Sequence, residues 1–209
     1  MNHTINFVNF TVWQETSGTD GPDVSFIPAM ARRRMTALEK IAAYLAHQTA
    51  PESGDYVTVF ASRFGEWNQT VKLIKQYHTD KEMSPAGFSN SVHNAAPGHI
   101  SLLCHNKNSY TSIAAGQRTL EMGLLEAFNQ QQPTLFIYAE EHQPDIFNDI
   151  QPDIISAHGV ALFINHSENA QIHVSNGTSD CEPLDFEDFC NFLNSGDTLS
   201  TSYWTLKKK

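Results

Sequence analysis

Two short segments of the chain are apolar almost without interruption. Residues 134–139 read Thr-Leu-Phe-Ile-Tyr-Ala, and residues 159–164 read Gly-Val-Ala-Leu-Phe-Ile. Such strands are typical of a sheet that is covered by other layers on both faces. Because helical and strand segments alternate around them, the sequence predicts an α/β domain with a mixed sheet flanked by helices. No linker or internal repeat interrupts residues 1–209, so we expect a single domain.

Four helices are predicted from apolar residues that recur at helical spacing. In the first helix, Glu39 and Lys40 are expected on the face opposite the core. In the second, Trp67, Val71 and Ile74 form one stripe. The four helices are expected around residues 35–45, 66–77, 117–128 and 186–193.

Further strands are predicted where β-branched and aromatic residues cluster between turn residues. These segments are 56–61 and 110–115, with another strand near 201–206. Residues 170–174 alternate in polarity and are expected to pair with 159–164 as a hairpin. The three lysines at 207–209 are expected to form a frayed, solvated tail.

The charge of the chain excludes some classes of partner. Lys and Arg number 13 and Asp and Glu number 23, for a net charge of −10 at pH 7. So acidic a chain is poorly suited to nucleic acid, which needs a basic face. No apolar run approaches the roughly 20 residues of a membrane span. The first six residues do not resemble a signal peptide, and three cysteines form no disulfide framework, so we expect a cytoplasmic protein.

Motifs for metals and cofactors are also missing. The chain has ten His but no HExxH or CxxC pattern, and His93 and His99 are six residues apart, which is not a helical ligand spacing. No glycine-rich phosphate loop occurs. Cys104 and His105 are adjacent and would point about 100° apart on a helix, so an inert, buried Cys104 is expected. We therefore expect no metal and no cofactor.

Residues 112–118, Ser-Ile-Ala-Ala-Gly-Gln-Arg, have the form of an elbow between a strand and a helix. Such an elbow exposes one side chain at a helix N-terminus, where negative charge is stabilised. A Cys or Ser at this place would be an activated nucleophile. The chain has Gln117 there, and an amide cannot be deprotonated to a nucleophile. The sequence therefore predicts an elbow without catalytic residues.

Residues 83–125 resemble the core of the β-ketoacyl synthases of the thiolase-like superfamily. Ser84-Pro85, followed by Asn-Ser-Val-His-Asn-Ala-Ala-Pro-Gly-His-Ile-Ser at 90–101, is similar to their "SP…N…AGH(L/I)(S/T)" segment. Residues 112–117 are similar to their "S-I-A-T-A-C" run, with Gln117 where the family keeps its catalytic Cys. The same replacement occurs in chain-length factors, the catalytically silent partners of type II ketosynthases. Residues 57–65, 134–140 and 159–164 resemble further family strands and the gate loop.

The resemblance covers most of the chain but only the amino-terminal half of a full synthase. By this resemblance we expect the chain to lack the carboxy-terminal half, which brings the family's two catalytic His, and we do not expect His93 and His99 to take those roles. The helix at 117–128 would then have an uncovered face, or one covered only by local segments. We expect an exposed apolar patch there, formed by Leu120, Leu124 and Phe128.

The resemblance also implies two contact regions. In the family, one strand pairs across a two-fold axis to form the dimer. The interface residues implied here are Thr111, Ser112, Ile113, Ala114 and Ala115. Phe64 matches the position of the family's gate residue, and Trp67 and Val71 are expected on the same face. These three residues would bound an acyl tunnel, although ordinary core packing of Phe64 and Trp67 is an equal alternative.

The function implied is that of a non-catalytic, chain-length-factor-like subunit. Its partner would be a full-length, Cys-bearing ketosynthase, which would itself bind the acyl carrier protein, so that this chain meets the carrier only indirectly. The short form resembles the chain-length factors of aryl polyene synthesis, beside polyketide and fatty acid synthesis of type II. Two alternatives stay open: a stand-alone decarboxylase or acyltransferase of the superfamily that uses Gln117, and a purely structural paralogue.

Overall fold

The computed structural model describes residues 2–16, 21–52, 54–149, 155–166, 171–178 and 181–209. The strands in these ranges are β1 (Asn2–Gln14), β2 (Val57–Ala61), β3 (Tyr110–Ile113), β4 (Thr134–Glu140), β5 (His158–Asn165), β6 (Ile172–Asn176), β7 (Thr198–Ser200) and β8 (Trp204–Lys208). The helices are α1 (Ala29–Arg32), α2 (Ala37–Thr49), α3 (Trp67–Asp80), α4 (Pro85–Ser89), α5 (Ala95–Leu103), α6 (Thr119–Asn129) and α7 (Phe186–Asn194).

All eight strands belong to one mixed sheet, in the order β3-β2-β4-β5-β1-β6-β8-β7. The strands β3, β2 and β4 run parallel to one another. Every other neighbouring pair is antiparallel. The carboxyl ends of β2 and β3 therefore lie at the same edge of the sheet, and the segments that follow them meet there.

The sheet is covered on both faces because its central strands alternate between two cores. On β4, Leu135 and Ile137 join α2 and α5 in one apolar cluster. Phe136 and Tyr138 join α6 and α7 in the other. All seven residues of β4 are buried, as expected for a strand between two layers.

The predicted fold class is confirmed: the chain forms a mixed sheet flanked by helices. The four predicted helices correspond to α2, α3, α6 and α7. The prediction that 170–174 forms a hairpin with 159–164 is wrong, since β1 lies between β5 and β6 and pairs with both. Ala170 lies outside the described residues. Polar residues scattered along β1 kept this strand from being recognised in the sequence.

The apolar face of α6 is covered by other segments of this chain, so the expected exposed patch is wrong. Leu120, Leu124 and Phe128 are all buried. The ring of Trp204 on β8 packs edge-on against Phe128, with centroids 5.4 Å apart. Its indole Nε1 donates a hydrogen bond to the backbone oxygen of Glu121 at 3.0 Å. Local segments thus remove the apolar face of α6 from water. This burial stabilises the fold by about 1.5–3 kcal/mol for each large apolar side chain.

Three smaller expectations are also wrong. Glu39 is buried, because it caps α2: its carboxylate accepts from Thr36 N, and its own N–H donates to Thr36 Oγ1. Ile74 is exposed, and Leu73 fills the core in its place. Lys208 is not part of a frayed tail, since it lies in β8 and its Nζ donates to the backbone oxygen of Phe192 at 2.7 Å.

Candidate functional site

The predicted elbow is present at the end of β3. The strand ends at Ile113, a 3-10 turn spans Gly116–Arg118, and α6 begins at Thr119. Gly116 has φ of +60°, which favours glycine at this reversal. The hydroxyl of Thr119 accepts from Ala115 N at 2.9 Å and donates to Gly116 O at 2.7 Å, so it closes the turn. The elbow is therefore held by its own hydrogen bonds.

Gln117 is exposed at the tip of the elbow and lines a cavity of about 430 Å³. Polar groups from two strands and two loops also line it, namely Arg63, Tyr138, Glu140, His158, Glu182 and Asp185. A primary amide can donate and accept hydrogen bonds but cannot form a thioester as a thiolate does. The position can therefore hold a polar group of a ligand without forming a covalent bond to it.

Glu140 is the most buried of these polar groups, at 2% exposure. Its carboxylate accepts hydrogen bonds from the hydroxyl of Ser62, at 3.2 Å, and from the backbone N–H of Arg63. Burial raises its pKa to about 7, although these donors favour the ionised form. Sequence reasoning missed Glu140, although its place at the carboxyl end of an apolar strand was a usable signal.

His158 begins β5, and its Nδ1 lies 2.8 Å from Ser156 O. Its ring packs against Phe186, with centroids 4.4 Å apart. Burial lowers the pKa of this imidazole below its ordinary value. Burial raises the pKa of the neighbouring Tyr138 hydroxyl, because burial disfavours the charged form of either group. Both groups are therefore neutral at pH 7. His158 was also missed from the sequence, where nothing connected it to the elbow.

The predicted gate residues Phe64 and Trp67 are in contact. Their rings stack with centroids 4.3 Å apart, and Trp67 also stacks on Phe147 at 5.8 Å. Phe64 precedes α3 instead of lying on it, because Gly65, with φ of +56°, reverses the chain between the two rings. Val71 lies one turn after Trp67 and is half-buried. The expectation of a single helical face is thus corrected for Phe64.

His93 contacts the loop that carries Phe64 and holds it in place. His93 Nε2 lies 2.7 Å from Ser62 O. A Cβ added at Gly65 would be 2.9 Å from His93 Cδ2. The gate loop and the elbow follow β2 and β3, and Arg63 lines the same cavity as Gln117. The structure therefore places the two predicted regions at one edge of the sheet.

The strand predicted to form a dimer contact lies at an edge of the sheet. Among the described residues, β3 pairs only with β2, which leaves its other side open. Ser112 Oγ is buried and has no hydrogen-bond partner within the described ranges. The strand ends at Ile113, so the predicted extension through Ala114 and Ala115 is wrong, and both alanines are exposed.

A second group of buried polar residues was not predicted. Glu39, Glu66 and Glu141 are each 1–2% exposed, and His99 Nδ1 lies 2.9 Å from Glu39 Oε1. Burial raises the pKa of Glu66 to about 9 and that of Glu141 to about 7. The signal for Glu39 was the Thr36-x-x-Glu39 spacing, which is typical of a capping box.

The comparisons with known proteins identify the family. The family described as "Beta-ketoacyl synthase, N-terminal domain" matches residues 10–192. The chain belongs to the β-ketoacyl synthase family. A comparison with curated protein sequences finds no match.

Solved ketosynthase structures share this fold. A chain of the ketosynthase ApeO in complex with its chain length factor ApeC, from Xenorhabdus doucetiae, aligns with a TM-score of 0.79 at 18% identity, covering 98% of this chain and 99% of that one. A chain of the complex of AntDE with the type II acyl-carrier protein AntF aligns with a TM-score of 0.66 at 12% identity, covering 84% of this chain and 69% of that one. A chain of the ishigamide ketosynthase/chain length factor aligns with a TM-score of 0.58 at 12% identity. The alignment covers 75% of this chain and 54% of that one.

Within the β-ketoacyl synthase fold, the described part of this chain contains no cluster of three His, Cys, Asp or Glu side chains suited to a metal ion. None of its described helices is both long and apolar enough to span a bilayer. Cys104 is half-buried, and burial raises the pKa of its thiol above the ordinary value. That shift favours the unreactive thiol form expected for this residue.

Proposed function

We propose that this chain is the non-catalytic, chain-length-factor-like subunit of a type II ketosynthase. The observation that carries the proposal is Gln117, which stands at the tip of a well-formed elbow where the family keeps its catalytic Cys. In this chain the elbow is well formed, with a strand before it, a left-handed glycine within it and a hydrogen-bonded threonine that closes it. A scaffold kept without its nucleophile suits a protein that works through contact with a second subunit.

The partner in this proposal is a full-length, Cys-bearing ketosynthase that pairs with β3. An edge strand presents unpaired backbone N–H and C=O groups, which favour the addition of another strand. Thr111, Ser112 and Ile113 are only half-buried in the isolated chain, and the alanines at 114 and 115 are exposed. Small exposed side chains let a second backbone approach closely.

The chain contributes a wall to the acyl tunnel rather than a reacting group. Phe64, Trp67 and Phe147 form one stack near the cavity that Gln117 lines. Aromatic rings held on two sides are rigid and set the depth of a pocket well. The Claisen condensation and the docking of the acyl carrier protein take place on the partner subunit.

The products in this proposal are polyketide-type chains, aryl polyenes in particular, or fatty acids. The resemblance to short chain-length factors supports the first class. The free thiols of Cys104, Cys181 and Cys190 are compatible with synthesis in the reducing cytoplasm.

Co-expression with a Cys-bearing ketosynthase tests the proposal. We expect a 1:1 complex on size-exclusion chromatography with light scattering, and condensation activity from the complex. Ala114→Lys places a charge on the proposed interface and is expected to abolish the complex. Ala31→Lys, which makes the same change at an exposed position on α1, is the matched control and is expected to leave the complex intact. A monodisperse chain that forms no complex with the ketosynthase would contradict the proposal.

A further inference from the structure

The strand β1 has an open edge that the proposed partner does not explain. Residues 2–5 pair with β6 on one side, while residues 6–14 pair with β5 on the other. No other strand in the described ranges pairs with residues 7–14, so this half of β1 has one free side. The two outermost strands of the sheet, β3 and β7, have only four and three residues. Among the described strands, the longest free edge therefore belongs to β1, which lies within the sheet and not at either end of it.

The side chains of this open half are apolar on one face. Asn9 Nδ2 donates to Gln48 O on α2 at 3.1 Å, and Thr11 Oγ1 accepts from Thr49 at 2.8 Å. Asn9 and Thr11, which follow the bulge, thus face α2, whereas Phe7 before it packs against Phe128 of α6. Val8, Phe10 and Val12 lie on the other face and are 60%, 39% and 37% exposed, although Val8 lies at a bulge.

The usual protection of an edge strand is missing here. Natural edges are shielded by charged side chains, by proline or by shortness. Residues 2–14 contain no Asp, Glu, Lys, Arg or Pro, in a chain with a net charge of −10. Because one sign of charge dominates elsewhere, an uncharged strand is where two copies can approach with least repulsion. A partner recognised by opposite charge would find nothing to bind on this strand.

We propose that the open edge of β1 pairs antiparallel with β1 of a second copy of this chain. A two-fold axis near Phe10 would bring the two Phe10 rings together and place Val8 of each copy opposite Val12 of the other. Such a contact is self-complementary, as a two-fold interface must be. The inference rests on the proposed function, since β3 stays free for the ketosynthase and the assembly would be a dimer of heterodimers.

The test uses the complex with the ketosynthase. Over a concentration series, light scattering is expected to give a mass that rises from that of the 1:1 complex towards twice that value. Phe10→Lys is expected to raise the dissociation constant of this doubling at least about tenfold, because it brings two unpaired cations together. Val8→Lys, at the more exposed position, keeps the test informative if the first variant disturbs the strand. Ile74→Lys, with 63% exposure on α3, is the matched control.

Each outcome is decisive. Doubling that is lost in the β1 variants and kept in the control supports the proposal. A complex that stays at the 1:1 mass throughout overturns it, and so does doubling that the β1 variants leave unchanged. Release of the ketosynthase by Phe10→Lys would place that subunit on β1 and would overturn it too. Failure of the 1:1 complex itself is a separate result, which contradicts the proposed function.

Discussion

The ring of Phe64 stacks on the indole of Trp67, with centroids 4.3 Å apart and planes 19° from parallel. The two residues belong to different elements, since Phe64 lies in the loop after β2 and Trp67 begins α3. Phe147, from the segment after β4, also stacks with Trp67, with centroids 5.8 Å apart. Three separate segments thus build one rigid aromatic group near the elbow, and its role can be tested by truncation.

Removal of either ring is expected to lengthen the product of the complex. Phe64→Ala opens the half-buried end of the stack, and Trp67→Ala opens more volume at a cost of about 3–5 kcal/mol in stability. Product length is read by mass spectrometry of the released chains. Ile74→Ala, on the exposed face of the same helix, is the control and should leave length unchanged. An unchanged length in both ring variants, with the complex intact, would mean that the stack is only core.

The two left-handed glycines near the site are expected to differ in tolerance. Gly65→Ala suffers both a φ of +56° and a Cβ that would lie 2.9 Å from His93 Cδ2. Gly116→Ala, with φ of +60°, has no atom within 4 Å of its added Cβ. We expect a loss of about 1–2 kcal/mol from backbone strain at Gly116 and a larger loss at Gly65. Urea unfolding measures both, and equal losses would contradict the proposed contact with His93.

Stability is expected to fall as pH rises, because Glu66 is buried. Burial raises its pKa from 4.5 to about 9, so the folded chain favours the protonated form. The contribution is complete below about pH 4.5 and is lost progressively as pH rises towards 9. We expect Glu66→Gln to remove on the order of 2–4 kcal/mol of the decline between pH 5 and pH 8. Urea unfolding at both values measures this.

The control for this titration is Glu52→Gln, an exposed carboxyl outside the cluster. It should follow the wild-type pH dependence. Glu140 and Glu141 keep their own contributions in all three proteins, so only the difference between Glu66→Gln and wild type is read. If the free energy of unfolding changed equally with pH in Glu66→Gln and in wild type, the Glu66 side chain would be solvated in solution.

Trp204 is expected to be essential for the cover of α6. It is fully buried, packs against Phe128 and donates to the backbone oxygen of Glu121. Trp204→Ala should cost about 3–5 kcal/mol of the free energy of unfolding. Trp204→Phe should cost about 1–3 kcal/mol, since it keeps most of the packing but loses the hydrogen bond from the indole to Glu121 O. A loss below about 1 kcal/mol in Trp204→Ala would contradict this role.

The local pattern was sufficient to predict the central elements of this fold. Apolar runs marked β4 and β5, and the elbow at residues 112–118 was visible because a strand pattern changes directly into a helical one. What failed depends on distant contacts. The position of β1 between β5 and β6 is set by pairing between residues 2–14 and residues 158–175, which are far apart in the sequence. The cover of α6 comes from Trp204, whose sequence neighbours give no sign of its partner.

The candidate site divides in the same way. Gln117 and Phe64 could be found from motif position, and the structure places their segments beside one cavity. Glu140 was missed although it ends an apolar strand, and no sequence signal marked His158, because the proximity of both residues to the elbow follows from strand order and not from spacing. Glu39 was placed on the wrong face because a capping carboxylate turns back towards the helix N-terminus, whereas periodicity treats every charge as solvated.

The most direct test of the central claim is intact-protein mass spectrometry of the complex after incubation with an acyl thioester substrate. We predict acyl mass on the ketosynthase alone, none on this chain, and the same labelling and condensation rate in a complex that carries Gln117→Ala. Acylation of this chain, or turnover of a malonyl thioester by the isolated chain, would contradict the account.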